Sequence, residues 1–166
     1  MSEIDDLESL FLNDIPLIDT RAPVEFNKGS LPLASNLPLM IDEEREAVGI
    51  CYQQKGQAAA LRLGHKLVNG ELKAERLNQW IHFSQRHPNG ALFCFRGGLR
   101  SEITQSWLKE KGIDYPRVRG GYKAMRRWLI DAVQRTCTRT PILLVGGKTG
   151  SAKTQALNAR TLGNRI

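Results

Sequence analysis

Residues 91–101 read Ala91-Leu92-Phe93-Cys94-Phe95-Arg96-Gly97-Gly98-Leu99-Arg100-Ser101. The apolar run from Ala91 to Phe95 follows a Pro88-Asn89-Gly90 turn, which predicts a central strand of a parallel sheet. Ser101 is predicted to cap the helix that follows, and Gly112 to end it. A strand, a glycine-containing loop and a helix in this order are the unit from which parallel α/β folds are built.

The remainder of the chain alternates between strands and helices in the same way. Strands are predicted at residues 15–19, 34–38, 116–119 and 141–145. A helical pattern runs from residue 42 to residue 87, and a later helix spans about residues 122–134. Gly56 and the Asn69-Gly70 pair divide the long helical region into three helices. The expected fold class is therefore α/β, with a central, mainly parallel sheet flanked by helices.

The composition limits the class of protein. A chain of 166 residues, 41% apolar and 25% charged, fits one globular domain and little more. No run approaches the roughly 20 apolar residues of a membrane helix, and the acidic N-terminus does not resemble a signal peptide. We therefore expect a cytoplasmic protein that does not bind membranes. The sequence does not define its oligomeric state.

Three cysteines, Cys51, Cys94 and Cys137, lie far apart in the sequence. Their spacing argues against a disulfide framework and against a zinc site, so no metal is expected. Cys51 and Cys137 have no distinctive neighbours and are interpreted as structural or incidental. Cys94 differs because it stands between a predicted strand and a predicted helix.

Cys94 is the candidate nucleophile. Ligands of open α/β sheets bind at the carboxyl ends of strands, where this cysteine lies. The two glycines after it can turn backbone N–H groups inward around an anion, and the next helix adds its positive N-terminal end. These features favour a thiolate that attacks sulfur or selenium bonded to an anionic leaving group. The predicted anion-binding loop comprises Phe95, Arg96, Gly97, Gly98, Leu99, Arg100 and Ser101.

Two other interpretations of Cys94 stay open. Most strand cysteines are simply buried core residues. Cysteine-dependent phosphatases have the same Cys-x5-Arg spacing and a similar cradle, with phosphorus as the atom attacked. Against the phosphatase, Phe93 stands where that signature normally has histidine, and no aspartate can be singled out as the general acid.

The net charge of +7 is unevenly distributed. Residues 1–116 carry 13 basic and 16 acidic groups, whereas residues 117–166 carry 11 basic groups and one acidic group, Asp131. Such asymmetry is typical of a protein with a polyanionic partner such as nucleic acid, although a solvated helix face with a basic tail would give it equally well. The candidate nucleic-acid contacts are Lys123, Arg126 and Arg127.

A second glycine-rich motif follows the last predicted strand. Residues 147–154 match the phosphate-binding pattern Gly-x4-Gly-Lys-Ser/Thr, except that Ala152 stands where the last glycine belongs. A nucleotide-binding domain would need on the order of 100 further residues. We therefore expect a truncated start of a P-loop domain at residues 140–166. Its candidate nucleotide-binding residues are Gly147, Gly150, Lys153 and Thr154.

The sequence resembles a known family at several points. Residues 19–26, Asp19-Thr20-Arg21-Ala22-Pro23-Val24-Glu25-Phe26, are similar to the opening of a rhodanese domain, and residues 120–124 to the segment after its last strand. The form Cys-x-Arg-Gly-Gly-x-Arg-Ser at residues 94–101 resembles the tRNA 2-selenouridine synthase family in particular. Further similar segments are residues 47–52, 63–68 and 112–116.

This resemblance implies a rhodanese-like domain over residues 14–137 and an enzyme that acts on the wobble uridine of certain tRNAs. It implies exchange of the sulfur of 2-thiouridine for selenium through an S-geranylated intermediate, with Cys94 carrying a selenopersulfide. Selenophosphate and geranyl diphosphate are then substrates, tRNA is the partner, and no cofactor is tightly bound. A non-catalytic tRNA-binding remnant is the remaining alternative.

Overall fold

A computed structural model of the chain describes residues 2–139 and 145–155. The chain divides into two compact units, the first ending at Ile130 and the second beginning at Asp131. In the described residues the strands are β1 (Glu3–Ile4), β2 (Leu17–Asp19), β3 (Ala34–Asn36), β4 (Ala91–Phe93) and β5 (Arg117–Val118). The helices are α1 (Leu7–Leu12), α2 (Pro23–Asn27), α3 (Asp42–Leu67), α4 (Gly70–Arg86), α5 (Leu99–Glu110) and α6 (Gly121–Arg139).

The five strands form one sheet in the order β1-β5-β4-β2-β3, and every pair is parallel. β4 lies in the middle, with Leu92 opposite Ile18 of β2 on one side and Arg117 of β5 on the other. The α/β class predicted from the sequence is confirmed. The central position of β4 sets the residue after it, Cys94, at the carboxyl edge of the sheet.

Side chains that alternate along the central strands belong to two different hydrophobic clusters. Ile18 and Leu92 join a cluster that includes Trp80 of α4 and Trp107 of α5. Leu17, Ala91 and Phe93 join a cluster that includes Leu10 of α1 and Met125 of α6. Successive residues of a strand point to opposite faces of the sheet, so the sheet is covered by helices on both sides.

The sequence did not predict the N-terminal elements. β1 and α1 precede residue 14, where the rhodanese-like domain was expected to begin, and β1 is an edge strand of the same sheet. Ion pairs join the acidic N-terminus to β5 and the residue after it: Glu3 binds Arg117 and Arg119, and Asp5 binds Arg119. Two of the basic groups counted toward a polyanion partner are therefore paired within the molecule.

Other boundaries are confirmed or corrected. Gly56 breaks the long helical region with φ 78°, and Gly70 begins α4 with φ 53°, so the predicted division into three helices is confirmed. The prediction that Ser101 caps α5 is wrong, because the helix begins at Leu99 with Gly98 as its N-cap. α6 ends at Arg139 and not near Gln134. Residues 141–144 of the last predicted strand lie outside the described residues.

Candidate functional site

Cys94 lies directly after β4, and its side chain is 3% exposed. The end of the strand is held from the neighbouring β2, because the backbone N–H and the hydroxyl of Thr20 both donate to the carbonyl of Phe93, at 2.9 and 2.8 Å. The sulfur therefore occupies a defined point at the edge of the sheet, where the sequence predicted a ligand site.

The sulfur has two polar neighbours, both in the first turn of α5 or its cap. Cys94 Sγ lies 3.3 Å from Ser101 Oγ and 3.7 Å from the carbonyl oxygen of Gly98. The Ser101 hydroxyl also lies 2.8 Å from that carbonyl. A protonated sulfur can donate to either oxygen, whereas a thiolate can accept only from the hydroxyl. When the thiol of Cys94 loses its proton, the Ser101 hydroxyl can therefore rotate and donate to the sulfur.

The loop after Cys94 is locked against the start of α6. The carbonyls of Cys94 and Phe95 accept hydrogen bonds from the backbone N–H groups of Tyr122 and Lys123, at 2.9 and 3.0 Å. Gly121 has φ 57°, and a Cβ there would lie 2.2 Å from the carbonyl oxygen of Cys94. A Cβ on Gly97, φ 68°, would lie 2.7 Å from the backbone nitrogen of Gly120. Only glycine permits this approach of backbone to backbone.

Arg100 is engaged by a carboxylate and is not a free cation of the cradle. Its Nη1 and Nη2 atoms lie 2.5 and 3.2 Å from the two oxygens of Glu25. Burial by itself lowers the pKa of Arg100, but the hydrogen bond and charge of Glu25, with a smaller contribution from Cys94, raise it overall. Burial raises the pKa of Glu25, and the hydrogen bond and charge of Arg100 outweigh it, so that pKa is lowered. Arg100 belongs to the anion-binding loop predicted from the sequence, but Glu25 neutralises its charge.

A second arginine, Arg21, also lines the space around Cys94. Arg21 is 1% exposed and forms a buried ion pair with Asp19, Nη2 to Oδ2 at 2.6 Å. Burial is the largest influence on Asp19 and raises its pKa despite the Arg21 hydrogen bonds. The guanidinium carbon of Arg21 lies 3.8 Å from the ring centroid of Tyr122, whose ring lies 6.1 Å from that of Phe95. This stack ties the end of β2 to the Cys94 loop through a cation–π contact.

Together these groups surround a cleft of about 680 Å³. From the predicted loop the lining includes Phe95, Arg96, Gly98, Leu99 and Arg100, beside Cys94 itself. The structure adds lining residues that the sequence analysis did not name as site residues: Arg21, Glu25, Lys28, Gly29, Arg45 and Tyr122. Arg21 could have been found, because it follows a parallel strand beside β4. Arg45 comes from α3, far along the chain, and no sequence signal points to it.

The glycines and cations of the loop differ in their roles. Gly97 adopts a positive φ of 68°, whereas Gly98 has φ −102° and serves as the N-cap of α5. Arg96 is exposed, and neither it nor Lys28 forms an ion pair with any described residue. The cations available to an anion in the cleft are therefore Arg96 and Lys28, with Arg45 held loosely by Glu25 at 3.4 Å.

The remaining candidate residues lie elsewhere. Lys123, Arg126 and Arg127 are exposed on α6. In the glycine-rich loop of the second unit, Lys153 Nζ donates to the carbonyls of Gly147 and Lys148, at 2.8 and 2.7 Å. Ala152 has φ 55°, a left-handed conformation in which glycine is unstrained and alanine is not. Gly147, Gly150 and Thr154 are exposed.

The described residues contain no group of three or more His, Cys, Asp or Glu side chains that could hold a metal ion. No helix among them is long and apolar enough to cross a membrane.

Comparison with known proteins gives close relatives. A tRNA 2-selenouridine synthase of Marinobacter nauticus is 56% identical over 155 residues, 93% of this chain and 42% of the relative. The synthase of Photobacterium profundum is 60% identical over 149 residues, 90% of this chain and 41% of the relative. The synthase of Pseudomonas entomophila is 57% identical over 152 residues, 92% of this chain and 41% of the relative. No family model matches the chain.

One solved structure has the same fold. It is the crystal structure of the N-terminal domain of a protein from Clostridium difficile 630 described as ATP/GTP binding, with a TM-score of 0.70 and 29% sequence identity, covering 78% of this chain and 99% of that domain. The chain spans about two fifths of the length of the curated relatives that it matches. Over nine tenths of its own length it is similar to the tRNA 2-selenouridine synthases, and the resemblance predicted from its motifs is confirmed.

Proposed function

We propose that this chain carries the chalcogen-transfer site of a tRNA 2-selenouridine synthase, with Cys94 as the nucleophile. The observation that carries the proposal is the position of the Cys94 sulfur. It lies at the edge of a cleft whose available cations are Arg96 and Lys28, with Arg45 held loosely by Glu25, and it lies beside the first turn of α5. An anionic donor drawn into such a cleft meets the sulfur, and the Ser101 hydroxyl can donate to the thiolate.

The transfer step can be written with a simple donor. The Cys94 thiolate attacks the outer sulfur of thiosulfate, a new S–S bond forms, the S–S bond of the donor breaks and sulfite leaves with its electron pair. The product is a persulfide on Cys94. In the cell, the proposed selenium donor is selenophosphate, the second substrate is geranyl diphosphate and the acceptor is 2-thiouridine in tRNA. It includes a cytoplasmic location and no tightly bound cofactor.

Persulfide formation tests the proposal directly. Incubation with thiosulfate should add one sulfur atom to the wild-type protein and none to Cys94→Ser, as read by mass spectrometry of the intact chain. Cys137→Ser is the matched control and should be loaded like the wild type, because Cys137 is exposed on α6 and does not line the cleft. Absence of loading on the folded wild type would sink the proposed chemistry.

The same assay separates transfer from phosphate ester hydrolysis. Among the described residues that line the cleft, Glu25 is the only carboxylate, and its ion pairs with Arg100 and Arg45 leave it ill placed to donate a proton to a leaving group. We expect no Cys94-dependent hydrolysis of p-nitrophenyl phosphate. Hydrolysis without sulfur loading would favour the phosphatase instead.

Binding of tRNA is the second part of the proposal. Lys123, Arg126 and Arg127 can contact phosphates, and each phosphate neutralised adds roughly 0.9 to the slope of log affinity against log salt. Replacing all three by alanine should therefore lower that slope by roughly 2–3. A triple alanine variant of Lys55, Arg62 and Lys66, exposed on α3, removes equal charge and should change the slope less. Equal effects of the two variants would remove α6 from the proposal.

A further inference from the structure

Arg45 is attracted to a carboxylate that already has a stronger partner. Its Nε atom lies 3.4 Å from Glu25 Oε2, and its side chain is 46% exposed. Arg100 binds the same carboxylate with both Nη atoms, at 2.5 and 3.2 Å, and is only 22% exposed. All three residues line the cleft beside Cys94. Of the two arginines, Arg45 is therefore the more weakly held.

The acceptor capacity of Glu25 explains why Arg45 is held loosely. Glu25 Oε2 accepts hydrogen bonds from Arg100 Nη1 and from the backbone N–H of Ala22, the latter at 3.1 Å. A carboxylate oxygen has two lone pairs, and these two donors occupy them. At 3.4 Å, Arg45 Nε adds attraction between charges and no third hydrogen bond of ordinary length. An ion pair of this kind on an exposed side chain contributes little to stability, so Arg45 can exchange Glu25 for another anion.

The backbone beneath Arg45 is fixed, whereas its side chain is free to rotate. Arg45 lies in the first turn of α3, where its backbone N–H donates to the carbonyl of Ile41 at 2.9 Å. Asp42, the first residue of α3, accepts a hydrogen bond from the backbone N–H of Val24 at 2.9 Å, which joins the starts of α3 and α2. Exposed side chains change rotamer without a shift of the backbone. Arg45 can therefore turn away from Glu25 while both helices stay in place.

The charge balance of the cleft shows what this freedom is for. Among the described residues that line the cleft, Arg100 is neutralised by Glu25, and Arg21 by Asp19 at 2.6 Å. The lining cations that remain are Arg45, Arg96 and Lys28. A cation that can approach a bound anion attracts it in proportion to the charge of the anion. The mobile cation among these three therefore favours doubly charged ligands over singly charged ones.

We infer that Arg45 leaves Glu25 to bind the anionic part of the chalcogen donor, and so determines the preference of the site for doubly charged donors. The inference rests on the proposed function, in which Cys94 attacks that donor. The exchange costs little because Glu25 keeps Arg100 as its partner. Loss of Arg100 instead would leave a largely buried carboxylate without its closest partner, which is much more costly. Arg45 thus acts on donor affinity and not on the cleavage of the S–S bond at the sulfur.

Two sulfur donors of different charge test the inference on the full chain. Thiosulfate carries two negative charges and methanethiosulfonate carries one. Attack by the Cys94 thiolate on the outer sulfur of either forms the same persulfide, and sulfite or methanesulfinate leaves with the electron pair of the broken S–S bond. The rate of persulfide formation is followed by mass spectrometry at increasing donor concentration, which gives a half-saturating concentration and a limiting rate for each donor.

Arg45→Gln should affect the two donors unequally. The half-saturating concentration of thiosulfate should rise about tenfold, with the limiting rate within about twofold of the wild type, because a contact made equally before and during the reaction is lost. For methanethiosulfonate the rise should be only about threefold, since half the charge gives half the attraction. Equal rises for both donors, or a fall in the limiting rate alone, would overturn the inference.

Two matched variants show whether charge at this position is responsible. Arg62→Gln removes the same group from an exposed position on α3 that does not line the cleft, and should leave both donors unaffected. Arg45→Lys keeps the positive charge and should recover most of the preference for thiosulfate. If Arg45→Lys behaves like Arg45→Gln, the charge of Arg45 does not select the donor.

The same measurement in Glu25→Gln separates donor binding from a supporting role. If Arg45 acted only by holding Glu25, Arg45→Gln would have no effect once the carboxylate charge is gone. We expect instead that Arg45→Gln raises the half-saturating thiosulfate concentration at least as much in Glu25→Gln as in the wild type, because the competing anion is absent. No effect in that background would reduce Arg45 to a support of Glu25.

A binding measurement separates this inference from the proposed function. In Cys94→Ser, where no sulfur is transferred, calorimetry should show that Arg45→Gln weakens thiosulfate binding about tenfold. That result would support the role of Arg45 even if the wild type formed no persulfide, a failure that contradicts only the proposed function. Normal persulfide formation in the wild type with unchanged thiosulfate binding in Arg45→Gln would contradict only the role of Arg45.

Discussion

Two glycine-rich loops in this chain carry similar motifs and have different surroundings. Residues 94–101 are held by β2 and the start of α6, and Gly121 approaches the Cys94 carbonyl so closely that a Cβ would lie 2.2 Å away. In residues 147–154, by contrast, a Cβ on Gly150 would meet nothing within 4 Å, and Lys153 donates to carbonyls of its own loop. The first loop is held by distant parts of the chain, whereas the hydrogen bonds described for the second lie within the loop itself.

The difference shows what turns a motif into a site. An anion-binding loop keeps its N–H groups and cations in place only if other elements pack against it. Without such contacts, ordering the loop costs conformational entropy that nothing offsets. Around Cys94, backbone hydrogen bonds, a cation–π stack and the Glu25–Arg100 ion pair all fix the loop. The Cys94 loop should therefore be sensitive to changes in the residues that surround it.

The largest effect is expected from adding one methyl group where the loop meets α6. Gly121→Ala places a Cβ 2.2 Å from the Cys94 carbonyl oxygen at a residue with φ 57°, so the free energy of unfolding should fall by about 2–4 kcal/mol. Gly150→Ala, with φ 84° and open space around it, should cost only about 1–2 kcal/mol, the penalty of the left-handed conformation alone. Urea unfolding measures both. Equal losses would mean that the two loops are not held differently.

Alkylation of the cysteines gives the next largest effect. At pH 6.5, Cys94 should react with iodoacetamide at least about tenfold faster than Cys51 or Cys137, because the Ser101 hydroxyl lies 3.3 Å from its sulfur and can donate to the reacting thiolate. Ser101→Ala removes the hydroxyl 3.3 Å from the sulfur and should slow Cys94 alone by several-fold. Peptide mass spectrometry reads all three rates in one sample. If Cys94 is no faster than the exposed Cys137, the loop does not activate it.

A smaller effect in the opposite direction is expected from Glu25. Glu25→Gln removes the negative charge that neutralises Arg100, and the freed guanidinium charge should raise the alkylation rate of Cys94 at pH 6.5 by about two- to fivefold. Glu110→Gln, which breaks an ion pair with Lys73 at the far end of α5, is the control and should leave the rate unchanged. A slower Cys94 in Glu25→Gln would mean that Glu25 matters through packing and not through charge.

The sequence patterns predicted the features that depend on residues close to one another in the chain. The β4 strand, the loop at Cys94 and the helix after it follow from an apolar run, two glycines and a helical segment, and these elements are confirmed. The patterns did not predict β1, because a strand of two residues, Glu3 and Ile4, has no periodicity to detect. They also missed the Glu25–Arg100 pair, whose partners are 75 positions apart and meet only in the folded chain.

The smallest effect concerns the single substitution in the second loop. Ala152 has φ 55°, where a Cβ costs roughly 1–2 kcal/mol that glycine does not incur. Ala152→Gly should therefore let the loop close on phosphate more readily and improve weak binding of Mg-ATP by about fivefold. Calorimetry on the full chain measures it. Lys153→Ala in the Ala152→Gly background should remove the gain, because the lysine ammonium is the group expected to meet the phosphates. If Ala152→Gly leaves binding unchanged, the backbone conformation of residue 152 does not limit phosphate binding by this loop.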